Sequence, residues 1–383
     1  MFVKKDEANG VRFKARLVIR GFGDKNVYEL MDTYAPVARL TDVRFILAVA
    51  NKFKLQIRQY DVKTAFLNAE LDKTVYMQIP KGHENYDKLH KTHVCKLQKS
   101  LYGLKVSSRK WYEKFKDTMV KLNFTVYPFQ SCLFVWRKGN QFIILLLYVD
   151  DILTVYNHKQ KMQEVERLLA KEFEIRNLGS PKKFLGLEIE RDCENQVLYI
   201  HQRKFAEKML KRFDMDRCNP VSTPMITREG ERKSEGEKLY DEKRISKNEL
   251  ETKYRRAVGS LLYLCNGSRP DLAYAVNALS KKQNNCTEED WMRVKRVFRY
   301  VRGTIDLGLR YTGQGEQLEC YADASLGVSD SEGKSTSGIL MKLFGDVIYW
   351  RTKKQTHVAL STAEAEFIAM SLACKELTCI KEM

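Results

Sequence analysis

Nothing in this sequence is long and apolar enough to cross a bilayer as a helix. Its longest apolar run, Phe142 to Val149, falls far short of the ~20 residues such a span needs. The opening MFVKKDEANG has basic residues with no apolar core behind them, so no secretory signal is expected. Nine cysteines, an odd number, are scattered from Cys95 to Cys379 without a single CxxC pair. That usage fits an intracellular, reduced protein rather than a disulfide framework. His90, His93 and Cys95 bring three ligand types together, but no fourth lies at a standard zinc spacing. A polar loop entering a strand is the expectation there. There is no internal repeat.

What is present is length, apolar content and positive charge. At 383 residues, 44% of them hydrophobic, the chain is too long for one ordinary core, and two or three domains are expected. Lysine and arginine number 67 against 49 acids, a formal charge of +18. That excess attracts polyanions, nucleic acid first among them, although a generic basic protein shares the balance.

The stretch through about Pro224 mixes short strands with amphipathic helices. Met162, Val165, Leu168, Leu169 and Phe173 form a helical stripe over Lys161 to Phe173. Phe184 to Glu190 and Val197 to Ile200 flank the turn-like Asp192–Gln196 and read as a hairpin. Arg228 to Leu250 is dense in charge and reads as a solvated linker. Helices are then expected over Tyr254–Cys265 and Asp271–Lys282, parted by the breaker Asn266–Pro270. Thr287 with Asp290 gives a capping-box start for a helix reaching about Arg302. From Leu318 the texture turns to strands, closing with a helix from about Thr362. The fold class is α+β, ending in a small α/β tail.

The sharpest local signal is Tyr148-Val149-Asp150-Asp151, with an apolar strand running in and Ile152 to Val155 running out. Adjacent carboxylates in so tight a hairpin face water or a metal, not a core. Strand alternation projects one of the pair into a site while the other supports it. Like charges this close repel unless a cation joins them. An ordinary Asp-rich turn fits the same letters. Asp61 ends another strand-like stretch, Leu55 to Val62. Phosphoryl transfer by two metals needs carboxylates from separate strands around ions ~4 Å apart. Asp61, Asp150 and Asp151 supply the oxygen ligands that hard Mg²⁺ prefers.

The segments KARLVIRGF, DTYAPVARLTDVRFILAVA, QYDVKTAFLNAELDKTVYMQIPKG, VCKLQKSLYGLK, RKWYEKF and LLLYVDDILTV occur in the order found in copia-type reverse transcriptases. So do KFLGLEIERD, YRRAVGSLLYL, RPDLAYAVNALSK and RVFRYVRGT. Over nearly its whole length the chain resembles the reverse transcriptase and adjoining ribonuclease H segment of a copia-type LTR retrotransposon Pol polyprotein. The resemblance implies a right-hand polymerase with fingers and palm over 1–224, a charged linker and helical thumb or connection over 225–312, and a truncated ribonuclease H-like domain over 313–383. It implies that Asp61, Asp150 and Asp151 are catalytic and hold two Mg²⁺, with Mn²⁺ as the substitute ion. Phe66 matches the aromatic gate that crowds a ribose 2′-hydroxyl; its bland role is a core aromatic. Lys14 and Arg16 match the basic fingers strand that meets the triphosphate, and Arg20 competes for that contact. Gly103 matches the glycine that lets backbone approach the template–nucleotide pair; a plain turn is its other reading.

The chain departs from the family at Val106, where LYGLKQ carries glutamine. In the tail, YADAS, KSTSG, WRTKKQ and STAEAEFIA follow in ribonuclease H order. Asp323 matches the first acid of that site. Glu366 begins the pattern of the catalytic helix, and Glu364 serves equally as a capping-box residue after Ser361. Asp330 and Asp346 read as structural turn residues. The resemblance implies a fingers strand before Phe2 and further acids beyond Met383, so an abbreviated piece without ribonuclease H activity is expected. Its partners would be RNA template, DNA primer, RNA/DNA hybrid and deoxynucleoside triphosphates, with no membrane. Its location would be a cytoplasmic particle or the nucleus. The rival expectations are a truncated relic that binds nucleic acid without catalysis, and a metal nuclease using the same acids.

Overall fold

In a computed structural model of the chain, residues 2–7, 10–24, 28–226, 246–327 and 332–382 are described, the side chains of 2–12 and 14 excepted. The architecture mixes helix and sheet, an α+β fold. Two compact units form, Met1–Arg39 with Gln56–Ser180, and Leu40–Leu55 with Pro181–Met383. Helix α1 (Leu40–Lys52) thus belongs to the second unit although the sequence sets it inside the first.

The first unit is built on a six-stranded antiparallel sheet of β3 (Gln56–Val62), β6 (Thr125–Tyr127), β7 (Gln130–Lys138), β8 (Gln141–Tyr148), β9 (Asp151–Tyr156) and β10 (Ile175–Gly179). Their order is β10-β3-β9-β8-β7-β6. Two antiparallel pairs accompany it, β1 (Phe2–Glu7) with β2 (Gly10–Ala15), and β4 (Tyr76–Gln78) with β5 (Val94–Lys96). Strands β8 and β9 are nearly continuous apolar runs because they lie mid-sheet, where alternation gives way to burial on both sides. Tyr60, Val62 and Ile152 on one face pack with Trp111, Phe115 and Met119 of α2 (Ser107–Lys121) and Val165 and Leu169 of α3 (Lys159–Glu172). Each large side chain buried there contributes about 1.5–3 kcal/mol. On the other face Leu146 and Leu153 are buried as well.

The second unit holds a four-stranded sheet, β11 (Lys183–Phe184), β12 (Leu187–Asp192), β13 (Val197–His201) and β14 (Leu309–Tyr311), in sequence order. Its helical core packs α4 (Arg203–Arg212), α5 (Lys247–Ser268), α6 (Ala273–Ser280) and α7 (Glu288–Gly303) around Tyr254, Leu261, Val276, Trp291 and Phe298. The start of α5 is earlier than sequence texture suggests. Ser246 and Glu249 form a reciprocal capping box, so part of the expected linker is helical. Residues 227–245 of that linker lie outside the described residues.

An antiparallel sheet of β15 (Leu318–Ser325), β16 (Thr336–Leu343) and β17 (Asp346–Lys354) follows, and α8 (Thr362–Lys381) lies on it. Ala365, Ala369 and Ala373 recur every four residues on the buried side of α8, so the helix approaches the sheet closely. Arg44 of α1 is buried in this unit. It donates to the carbonyls of Ile348, Asn266 and Gly267 and lies 4.0 Å from the Trp350 ring centre. Burial lowers its pKa to about 10.

Candidate active site

Strands β3 and β9 are antiparallel neighbours, and their register sets Asp61 directly opposite Asp151. Directly opposed residues put their side chains on the same face with Cβ atoms ~4.5–5.5 Å apart. The three aspartates of the sequence reading therefore share one end of one sheet. Asp150 occupies the two-residue turn between β8 and β9, and its carbonyl accepts a 2.7 Å hydrogen bond from the Val62 N–H. The turn is tied to β3 one residue beyond Asp61.

That turn is strained and anchored. Val149 has φ +56°, a left-handed conformation that a β-branched residue rarely adopts. The Trp111 indole Nε1 donates to the Val149 carbonyl at 2.7 Å, bolting the turn to α2. A fixed, uncommon backbone conformation beside paired carboxylates is characteristic of a preorganised site.

Gln59 lies two residues before Asp61 on β3 and so on the same face. Its Nε2 donates to Asp151 Oδ1 at 3.5 Å. Burial pushes the Asp151 carboxyl up, the Asp150 charge pushes it further, Gln59 pulls it down and Asp61 raises it. The donor set is hard oxygen, and the Asp150 and Asp61 charges both disfavour the ionised form of Asp151. A divalent cation would relieve that repulsion, so the residues fit Mg²⁺. Among the described residues, no three His, Cys, Asp or Glu side chains already form a group able to hold a metal. Mg²⁺ ordinarily binds one or two carboxylates and completes its shell with substrate phosphate and water, so a closed protein cage is not required.

Tyr102 joins the remaining candidates to the aspartates. Burial raises its hydroxyl pKa, followed by the Asp150 charge; Arg16 lowers it and Asp61 raises it. The Arg16 guanidinium lies 5.7 Å from its ring centre. The Phe66 ring meets the same tyrosine edge-on, with centroids 4.5 Å apart. Phe66 itself is 9% exposed and packs in the core, on a 3-10 turn (Ala65–Asn68) entered through Thr64 at φ +52°. Gly103 has φ +99°, and a Cβ there would sit 2.1 Å from the Ile19 carbonyl. The close approach it permits in this structure is to residues 18–19, where the Ile19 N–H donates to Tyr102 O at 2.9 Å. Lys14 lies on β2 opposite Val3, with its side chain outside the described residues; Arg20 is exposed. Val106 is buried immediately before α2.

The tail acids come from two elements, Asp323 from β15 and Glu364 and Glu366 from α8. Asp323 on β15 pairs with Gly338, and Tyr321 with Leu340, which pairs with Trp350. Trp350 donates to the Cys265 carbonyl of α5, so that face of the sheet looks toward the helical core. Helix α8 covers the opposite face, where Arg351 pairs with Glu376 at 3.1 Å. Glu364 caps α8: its N–H donates to Ser361 Oγ, and its carboxylate accepts from the Leu360 N–H at 2.7 Å. Glu366 is exposed two residues on. Asp346 is buried and accepts from the N–H groups of Thr312 and Gly313. Asp330 lies outside the described residues.

The sequence reading did not single out Tyr102, Gln59 or Trp111. Strand alternation from Asp61 points to Gln59, whereas nothing local points to the other two. His90, His93 and Cys95 lie in and before β5, a loop entering a strand. Among the described residues no helix is long and apolar enough to cross a membrane.

Residues 1–227 match the family described as reverse transcriptase (RNA-dependent DNA polymerase). The chain is 39% identical over 381 residues to the retrovirus-related Pol polyprotein from transposon TNT 1-94 of Nicotiana tabacum, covering 99% of this chain and 28% of that one. It is 36% identical over 380 residues to the corresponding polyprotein from transposon RE2 of Arabidopsis thaliana, covering 98% and 25%. The truncated transposon Ty1-A Gag-Pol polyprotein of Saccharomyces cerevisiae is 26% identical over 395 residues, covering 97% and 31%. The chain thus spans between 25% and 31% of the length of these relatives. With Asp61 registered against Asp151 and the family match running through both, the chain belongs to the reverse transcriptase (RNA-dependent DNA polymerase) family, in the form carried by copia-type Pol polyproteins.

Proposed function

We propose that the chain is an RNA-directed DNA polymerase that extends a DNA primer on an RNA template. The observation that carries this reading is the register that sets Asp61 opposite Asp151, with Asp150 in the adjoining turn. Asp61, Asp150 and Asp151 would hold the divalent cations. When bound, such ions lower the barrier by activating the primer 3′-hydroxyl and neutralising charge on the triphosphate. Gln59 keeps the Asp151 carboxylate oriented, and Trp111 keeps the turn in its strained shape. Arg16, half-buried beside Tyr102, faces the triphosphate, and Phe66 walls the sugar side of the nucleotide site. The family division into 1–224, 225–312 and 313–383 is our proposal by function; packing divides the chain differently.

A second reading, a chain that grips nucleic acid without polymerising, draws on Val106. A buried apolar group stands where the family carries an amide, and the template strand loses a hydrogen-bond partner there. Primer extension on an RNA template with Mg²⁺ separates the two. Extension abolished by Asp150→Asn supports the polymerase. Binding with no extension by the unsubstituted chain supports the relic, and strand cleavage without incorporation would indicate a metal nuclease. We propose no ribonuclease H activity for the tail.

A further inference from the structure

Helix α1 ends at Lys52, and β3, the strand that carries Asp61, starts at Gln56. A helix leaves its last four carbonyls without intrahelical partners. In α1, two side chains of the β12–β13 hairpin take up three of them. Arg191 Nη2 donates to the Ala50 carbonyl at 3.2 Å, and Gln196 Nε2 donates to those of Asn51 at 3.0 Å and Lys52 at 3.1 Å. Arg191 Nη1 also donates at 2.7 Å to the Leu55 carbonyl, the last before β3. The chain between is turned tightly: Lys54 has φ +53°, and the Leu55 N–H returns to Ala50 O at 2.9 Å, a left-handed close common at helix ends. From the helix side, Asn51 Nδ2 donates to the carbonyls of Gln196 and Tyr311, and Lys52 Nζ to those of Gly313 and Gly315. Arg191 is half-buried, and burial lowers its pKa; no carboxylate pairs with it among the described residues. Its charge is met by backbone carbonyls at the negative end of the α1 dipole.

We propose that Arg191 is a positioning residue for polymerisation, holding the corner between α1 and β3 so that Asp61 stays in register with Asp151. Strands joined by a tight turn take their register from it. Strands β3 and β9 are far apart in sequence and have no such turn. The placement of β3 therefore depends on how its ends are held. At its far end the Val62 N–H is bonded to the Asp150 carbonyl. At its near end the Arg191 fork spans the helix end and the strand entry. A planar guanidinium reaches two carbonyls at once, which the point charge of an ammonium does not. From Leu55 to Asp61 is roughly 20 Å of strand, so Arg191 touches no reacting group. Without the fork β3 gains slack along its own axis, and a displacement of ~1 Å at Asp61 is enough to slow chemistry about a hundredfold. The consequence for extension rests on the polymerase reading; the clamp on β3 does not.

Arg191→Met keeps the apolar stem and removes the donors. In the full chain, primer-extension turnover is expected to fall about ten- to a hundredfold. Nucleotide KM and primer–template affinity stay within about twofold, the split expected when only the chemical step is misaligned. Arg191→Lys keeps the charge and a single donor group, and recovers part of the loss. Hydrogen exchange read by mass spectrometry separates positioning from general loosening. Peptides covering Gln56–Val62 are expected to exchange about tenfold faster in Arg191→Met, while α5 and α7 keep their protection. Should Arg191→Met fail to fold, Gln196→Asn decides. It shortens the second grip, suits a backbone at φ +54° and gives the same pattern in smaller measure. Unchanged turnover, a fall carried by KM, or β3 and the α5–α7 core loosening together overturns the proposal. An unsubstituted chain that extends no primer sinks the polymerase reading instead; selective loosening of β3 then still upholds the clamp, and its absence overturns it.

Discussion

Two regions of this molecule carry family acids, and they are presented by different arrangements of strand and helix. In the first unit Asp61 and Asp151 come from strands far apart in sequence and lie opposite each other in register. In the second, Asp323 sits on β15 opposite Gly338, while Glu364 caps the start of α8 and Glu366 is exposed on that helix. Both regions contain the expected words in the expected order. The difference is cross-strand geometry: an aspartate on a strand faces one side or the other according to parity, and only register decides what it meets.

The sharpest way to break the contrast is to neutralise one acid from each region. Asp61→Asn is expected to reduce primer extension by about a thousandfold or more, the scale seen when preorganised electrostatic groups are removed. Asp323→Asn should leave the extension rate within the error of a steady-state assay. Equal losses would erase the distinction between the two regions. Next in size is Gly103→Ala. The new Cβ meets the Ile19 carbonyl at a backbone that also sits at φ +99°, so destabilisation of about 2–4 kcal/mol is expected, read from urea unfolding. An unaltered midpoint would mean that residues 18–19 move away freely.

Trp111→Phe removes the donor to the Val149 carbonyl while keeping an aromatic ring in the core. We expect a loss of about 1–3 kcal/mol in stability, with extension falling more than binding, because the turn carrying Asp150 relaxes. An equal fall in both would assign Trp111 to packing alone. The smallest effect is electrostatic. Burial and then the Asp150 charge raise the Asp151 pKa, so Asp150→Asn should lower it in a carboxyl-carbon NMR titration without metal. The sign follows from removing a like charge that favoured the protonated form. In the unsubstituted chain, lowering the pH through that raised pKa protonates Asp151 and weakens cation binding at a higher pH than an ordinary carboxylate would.

The hairpin at 148–151 was legible because apolar strands on both sides leave a two-residue turn nowhere to go but between them. The helix over Lys159–Glu172 and the capping box at Thr287 were legible for the same local reason. Asp61 was legible as a strand-end carboxylate, but its pairing with β9 is a contact across ninety residues of sequence separation, Asp61 to Asp151, that no local pattern encodes. Helix α1 has a strong apolar stripe, yet nothing in Leu40–Lys52 says which core receives it; Arg44 beside Trp350 answers that in three dimensions. The start of α5 was masked by charge density, although Ser246 and Glu249 carried the capping signal. Tyr102 was hidden for a different reason. Its importance comes from what converges on it, Arg16, Phe66 and Asp150, and each arrives from a separate stretch.

The most direct test of the shared carboxylate site is a double-mutant cycle on Mn²⁺ affinity, with primer–template and incoming nucleotide bound. Asp61→Asn and Asp151→Asn should each weaken Mn²⁺ strongly, and the double variant should be little worse than either single one, the coupling expected of two ligands around common ions. Independent, additive losses, or no loss from Asp61→Asn, would contradict the account.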